Sequence, residues 1–260
     1  MATRILIATS ALAALAACSS SEEMNSEINA ASANAAAIPD DAGEKREILV
    51  ENAAFNFSYA WPAQVVAIPA FNTAFEARAI TAREEFEAMA REAQAEAEQY
   101  GYPYRVFQTT WEWKLVGDTP LLLSLVGENY AYTGGAHGNS FFMTTVWDKE
   151  ASVELAALDL FTSPAAFDAA TRAQFCAQLA EERGRKLGGA DVSGDCPPLG
   201  DLAVALISSQ GETIDAVQFL AAPYVAGSYA EGSYVITLDV SEDLLEAVRP
   251  AYQSAFAGSG

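Results

Sequence analysis

The chain has 260 residues, a formal net charge of −21 and an apolar content of 51%. That is enough apolar material for a real core in one large domain or two small ones. Such an acidic surface repels nucleic acid and anionic headgroups, so nucleic-acid binding is excluded; it favours a basic partner.

Residues 1–17 read as a signal peptide. Arg4 supplies the positive start and Ile5 to Ala14 the apolar stretch, too short to span a bilayer. Leu15-Ala16-Ala17-Cys18 resembles the lipobox of bacterial lipoproteins, which implies lipidation of Cys18 as the mature N-terminus. Ser19 after it resembles lipoproteins sorted to the outer membrane, so the expected address is the cell envelope, on the periplasmic face of that membrane. Residues 18–46 are rich in Ala, Ser, Asn and acidic residues and poor in large apolar ones. They cannot offset the entropy of ordering, and they read as a lipidated flexible tether that makes the only membrane contact.

Glu47–Glu51 and Phe55–Tyr59 are strand-like, and Trp61-Pro62 ends the second run. Asn72 is the expected N-cap of the longest helix. Its stripe is Phe75, Ala79, Ala82, Phe86, Met89, Ala93, Ala97 and Tyr100, at steps of three and four. Gly101 and Pro103 stop it. Tyr104–Val116 then alternates, with Arg105, Phe107, Thr109, Trp111, Trp113 and Leu115 on one face. Gly117–Pro120 turns into a strand over Leu121–Tyr132; Phe141–Asp148 and Ser152–Leu155 complete an antiparallel meander under the long helix.

Between the second and third of these strands lies Tyr130-Ala-Tyr-Thr-Gly-Gly-Ala-His-Gly-Asn139. Gly134, Gly135 and Gly138 mark a tight shaped loop, and it holds His137, the sole histidine. Three roles are open to this imidazole: pinning the loop through backbone carbonyls, binding a ligand, or acting as a general base with Ser140 or Glu128 assisting. A metal site needs about three or more protein ligands, so one histidine argues against a metal. No cofactor motif is present.

Leu158–Phe161 leads to a helix over Pro164–Arg183, anchored by Phe167, Phe175 and Leu179. Cys176 and Cys196 form an even pair in an oxidising compartment and read as a disulfide. The loop it closes is stabilised by ~3 kcal/mol on the chain-entropy model. Leu202–Ser208 and Thr213–Phe219 read as a hairpin. Pro223–Gly232 is a second aromatic–glycine loop, carrying Tyr224, Tyr229 and Glu231. Tyr234–Val240 is a strand, and Ser241 caps a last helix whose pattern continues past Pro250 to Phe256. The resulting fold class is α+β: antiparallel sheets, each covered by helices on one face, in two-layer sandwiches.

Tyr132-Thr-Gly-Gly-Ala-His-Gly138, with the long helix and the Trp111/Trp113 strand before it, resembles the non-catalytic domain of PdaC-type proteins. Val217–Gly232 and the strand and helix after it resemble the C-terminal part of the RsiV-like anti-sigma family, whose outer domain binds lysozyme. The resemblance implies a PdaC-like α+β domain over residues 47–155 and an RsiV-like α+β domain over 156–260. It also implies a partner: a basic wall-degrading protein of the lysozyme type, or a wall glycan. A lipid anchor here replaces the RsiV membrane span, and the PdaC deacetylase part has no counterpart. The expected function is a non-catalytic binding module with Tyr130, Tyr132, Gly134, Gly135, His137, Asn139, Tyr224, Tyr229 and Glu231 as ligand-binding residues. Two alternatives stand beside it: a structural or assembly lipoprotein of the envelope, and a hydrolase using His137.

Overall fold

The computed structural model describes residues 43–189 and 194–258. The expected signal peptide, the Cys18 anchor and nearly all of the tether lie outside the described residues. Among the described residues, no helix is long and apolar enough to cross a membrane.

The fold is α+β, with one six-stranded and one three-stranded sheet. β1 (Arg46–Glu51) and β2 (Phe55–Trp61) form an antiparallel pair, followed by a single helical turn, α1 (Ala63–Val66), and the long α2 (Pro69–Tyr100). β3 (Phe107–Asp118), β4 (Leu122–Tyr132), β5 (Asn139–Asp148) and β6 (Val153–Leu155) are the expected meander. β2 joins it parallel to β3, Phe55 opposite Phe107, so α2 is the crossover that a parallel pair requires.

α2 begins three residues before the expected Asn72 cap. Pro69 occupies the first turn, where its fixed φ suits the helix and its missing N–H costs nothing. Asn72 instead accepts from Trp61 Nε1 (3.0 Å) and donates to Glu76 (2.8 Å), tying the helix to β2. The buried stripe runs Phe71, Phe75, Ala79, Phe86, Ala90 and Ala97. Met89 and Tyr100, expected on it, are exposed: over 32 residues a 3.6-residue turn carries the stripe on to Ala90, and the helix outruns the sheet. The core beneath is aromatic. Phe71 stacks on Trp147 at 4.7 Å, Phe75 meets Trp113 edge-on at 5.0 Å, and Trp113 donates to Tyr59 at 2.8 Å. Burial pushes the Tyr59 hydroxyl up to about 12.

A short 3-10 turn leads to α3 (Pro164–Lys186), which Ser163 caps through the Ala166 N–H. β7 (Ala203–Ile207), β8 (Ala216–Ala221) and β9 (Tyr234–Asp239) are antiparallel neighbours in that order. α4 (Glu242–Ala247) is capped by Ser241 as expected. It stops at Ala247: Val248 and Arg249 are both extended, the latter as suits a residue before proline, and a separate 3-10 segment starts at Pro250.

Each sheet carries helices on one face, and the two opposite faces stack on each other. Phe167, Phe175 and Leu179 of α3 pack with Val204, Leu206, Val217 and Phe219. The alternate residues Ala205, Ile207, Ala216 and Leu220 pack on Val116 and Val126 of the larger sheet. Period-two alternation lets both faces of β7 and β8 bury apolar side chains. Ser124 Oγ accepts from Leu206 N–H, and Val116 O accepts from Ser208 N–H at 3.1 Å, so the sheets are stitched as well as packed. This stacking brings the β4–β5 loop (residues 133–138) to the β8–β9 loop (residues 222–233).

Candidate functional site

The β4–β5 loop is built around the Gly138 backbone. A Cβ at Gly138 would run into the Tyr130 ring and stand 2.7 Å from the Ala131 carbonyl, so only glycine fits. Its carbonyl accepts twice, from His137 Nδ1 at 2.8 Å and from the Tyr229 hydroxyl at 2.9 Å. Gly134 and Gly135 both have positive φ, near +89° and +85°. The Gly135 carbonyl accepts from Arg105 Nη1 at 2.7 Å, and Tyr132 Oη sits beside both partners at 3.2–3.3 Å. Arg105 therefore braces the outer side of the loop; the sequence pattern put it on a strand face, whereas it precedes β3 and is exposed.

The β8–β9 loop is built around a carboxylate. Glu231 accepts from Ser228 N–H and from the Tyr234 hydroxyl, both at 2.6 Å. Burial pushes the Glu231 carboxyl up. The Tyr234 hydrogen bond, the Ser228 backbone and side chain, and the Arg183 charge outweigh burial and hold it below the usual carboxylate range. Tyr234 moves the opposite way: burial and then the Glu231 partner push its hydroxyl well above the ordinary tyrosine value. Gly227 packs against that carboxylate, and a Cβ there would meet Glu231 Cδ at 2.7 Å.

Tyr224 departs from ordinary turn chemistry. Val225 N–H donates to Ala222 O, closing a β-turn with Pro223 at its second position and Tyr224 at its third. Tyr224 has φ +74°, where a type II turn asks for Gly or Asn. The backbone holds a bulky residue in the left-handed region at a cost of about 1–2 kcal/mol, and the ring it displays is 61% exposed.

The two loops meet ring to ring. His137 stacks on Tyr229 at 3.8 Å between centroids with planes 22° apart, and Tyr229 lies 5.6 Å from Tyr224. Burial, then the neighbouring hydroxyls of Tyr130 and Tyr224, push the Tyr229 hydroxyl above its ordinary value. Tyr130 is 39% exposed at the same place, beside Gly138. Tyr130, His137, Tyr224 and Tyr229 thus form one ledge of rings, drawn from both loops. Tyr132 and Gly135 flank it through Arg105. Asn139 is exposed at the start of β5, opposite Ala131. Glu231 lies under the ledge, with its carboxylate given over to the loop.

His137 Nδ1 is taken by the Gly138 carbonyl. Ser140 and Glu128, the suggested assistants, are both nearly buried on the strands and pair across β4–β5 with Tyr130 and Phe142 respectively. Glu128 faces Glu112 across β3–β4 and lies 3.8 Å from Lys114. Burial pushes its carboxyl up; Lys114 opposes this and Glu112 adds to it. Among the described residues, no three His, Cys, Asp or Glu side chains converge as metal ligands.

Behind the ledge the disulfide is present, Cys176 to Cys196. Five residues that shape the site escaped the sequence reading as site residues: Arg105, Gly138, Arg183, Lys186 and Gly227. Gly138 and Gly227 were signalled by their places in the two loops; Arg105, Arg183 and Lys186 depend on contacts between distant segments.

Residues 48–140, from β1 through the β4–β5 loop, match the family model described as Deacetylase PdaC. Among solved structures, a DUF3298 family protein from Pseudomonas aeruginosa PAO1 is similar at 16% identity and a TM-score of 0.46, over 85% of this chain and 99% of that one. A DUF3298 family member from Bacteroides fragilis NCTC 9343 is similar at 18% identity and a TM-score of 0.44, over 79% and 92%. No curated protein matches the chain.

Proposed function

We propose that this chain is a non-catalytic binding module of the cell envelope, tethered by a lipid on Cys18 at the periplasmic face of the outer membrane. Its ligand is a basic, lysozyme-like wall-degrading protein or a peptidoglycan fragment. The observation that carries the reading is the ring ledge: two loops over eighty residues apart in sequence place His137, Tyr229, Tyr224 and Tyr130 side by side at the surface. Aromatic faces with a polar edge are what both sugars and protein partners use as anchors. The strained Tyr224 backbone supports the same reading, since such strain collects where a side chain must be displayed. The net charge of −21 would steer a basic partner to the surface. The resemblance of Val217–Gly232 to the RsiV-like family supports the lysozyme-type partner. The PdaC-type resemblance of Tyr132–Gly138, with the family match over residues 48–140, supports the wall-glycan alternative.

Titration calorimetry tests this with a c-type lysozyme and with defined muropeptides, first at low salt. Saturable binding to one of them is expected, and Tyr224→Ala or Tyr229→Ala should weaken it by about 2 kcal/mol or more. Salt should weaken a lysozyme complex and leave a muropeptide complex nearly unchanged. No heat from either ligand, at protein concentrations that detect millimolar affinity, would overturn the proposal.

A further inference from the structure

One face of α3 is devoted to holding backbone that is not its own. Arg183 is 6% exposed. Its Nε donates to Ala226 O at 2.8 Å, in the middle of the β8–β9 loop. Its Nη1 and Nη2 donate to Gly194 O and Asp195 O, both at 3.0 Å. Three carbonyls from two separate segments thus converge on one guanidinium, a fit that its planar fork allows and an ammonium does not. Gly194 lies flat against that group, since a Cβ there would stand 2.9 Å from Arg183 Nη1.

The segment that offers two of the three carbonyls is fixed along the same helix. Cys196 is bonded to Cys176, and Arg172 Nη1 donates to Pro197 O. Positions 172, 176, 179 and 183 follow at steps of four, three and four, one helix face. Three of them clamp residues 194–197, and the fourth, Leu179, is core. One turn further on, Lys186 donates to the carbonyls of Glu231 and Ser233 at the far end of the β8–β9 loop. The loop carrying Tyr224 and Tyr229 is therefore gripped at Ala226 by Arg183, and Arg183 is oriented by a segment that the disulfide holds in place.

We infer that Arg183 is the positioning residue of the ring ledge, and that the Cys176–Cys196 disulfide sets its geometry. The inference rests on the ledge being the binding surface only for its consequence on affinity. Its structural content stands on the contacts of Arg183 and on the Cys176–Cys196 bridge. Loosening residues 194–197 leaves the guanidinium with fewer fixed acceptors, lets Ala226 shift, and takes Tyr229 out of its stack on His137. Ligand then has to order the loop itself, which costs affinity.

The chain offers its own probe. His137 is the sole histidine, so its ring C–H resonances are unambiguous, and stacking on Tyr229 shifts them upfield. The test uses the full chain, labelled with carbon-13. Arg183→Lys keeps the charge and loses the fork; Arg183→Ala loses both. The expected result is that His137 resonances move toward the unstacked position, partly in R183K and fully in R183A, while a cooperative melt is kept. Lysozyme or muropeptide affinity, where wild type shows it, falls about tenfold in R183A. A folded R183A with unmoved His137 resonances overturns the inference, whatever the ligand experiments show. Should neither variant fold, reduction of the wild-type protein decides. Amide exchange over residues 225–232 should rise at least about tenfold, with β3 and β4 amides unchanged. No change over 225–232 after reduction overturns the role of the disulfide.

Discussion

The two loops that make the ledge have the same kind of sequence, tyrosines among glycines, and are held in opposite ways. The β8–β9 loop is anchored from beneath by a buried guanidinium, a lysine and an internal carboxylate. The β4–β5 loop is braced from outside by the exposed Arg105, and its main inward tie is the shared Gly138 carbonyl. One side is fixed before any ligand arrives; the other leans on it through a ring stack and one hydrogen bond. Similar composition therefore gives a rigid wall and an adjustable one, because rigidity comes from the partners of the backbone and not from the residues of the loop.

Removing the anchor should have the largest effect. Replacing both cysteines, C176S/C196S, opens a loop across a separation of 20 residues and should cost about 3 kcal/mol in denaturant unfolding. A loss under 1 kcal/mol would show that the anchored side does not need the bridge. Next comes Gly138→Ala. The added methyl meets the Tyr130 ring and the Ala131 carbonyl, and overpacking should cost about 2 kcal/mol and separate the two loops. The readout is the thermal midpoint together with the His137–Tyr229 cross-peaks; cross-peaks that survive would refute the tight fit.

Glu231→Gln tests the anchored loop by pH. The Glu231 carboxyl is held below its unfolded value, so ionisation stabilises the fold. That contribution is fully present above about pH 4.3, the unfolded carboxylate value, and is lost as pH falls through the lower folded value. The substitution should therefore cost about 1 kcal/mol at neutral pH, discounted for its partly exposed setting, and nothing in strong acid. Equal losses at both ends of the scale would mean that shape matters there and charge does not. The smallest expected effect is Tyr229→Phe, which keeps the stacked ring and removes the hydroxyl that donates to Gly138. It should cost about 0.5–1 kcal/mol and raise amide exchange in residues 133–138 more than in 225–232. A rise confined to the latter would reverse the assignment of which side leans.

Most elements could be read from the chain because their signals are local. Alternation at Phe55–Tyr59 and Tyr234–Val240, the glycine stop after Tyr100, the Ser241 cap and the paired cysteines all act over a few residues, and all recur in the structure. Errors arose where a neighbour decides. Asn72 looks like a cap and is a tie to Trp61, since Pro69 had already started the helix. Met89 fits the apolar period and faces water, because the 3.6-residue turn has carried the buried stripe on to Ala90 by that point of a 32-residue helix. The parallel pairing of β2 with β3 has no local mark, as both strands look alike whichever way they run.

The sequence by itself determined the α+β class, the two loops with their tyrosines and lone histidine, the cysteine pair and the acidic charge, since periodicity, turn chemistry and composition are properties of adjacent residues. Only the tertiary structure decided that the loops touch, that the Gly138 carbonyl serves both His137 and Tyr229, and that Arg183 grips Ala226 across 43 positions of chain. The physical reason is that sheet-on-sheet stacking chooses which distant backbone groups become neighbours. A hydrogen bond or a ring stack then forms wherever that choice leaves complementary atoms within reach.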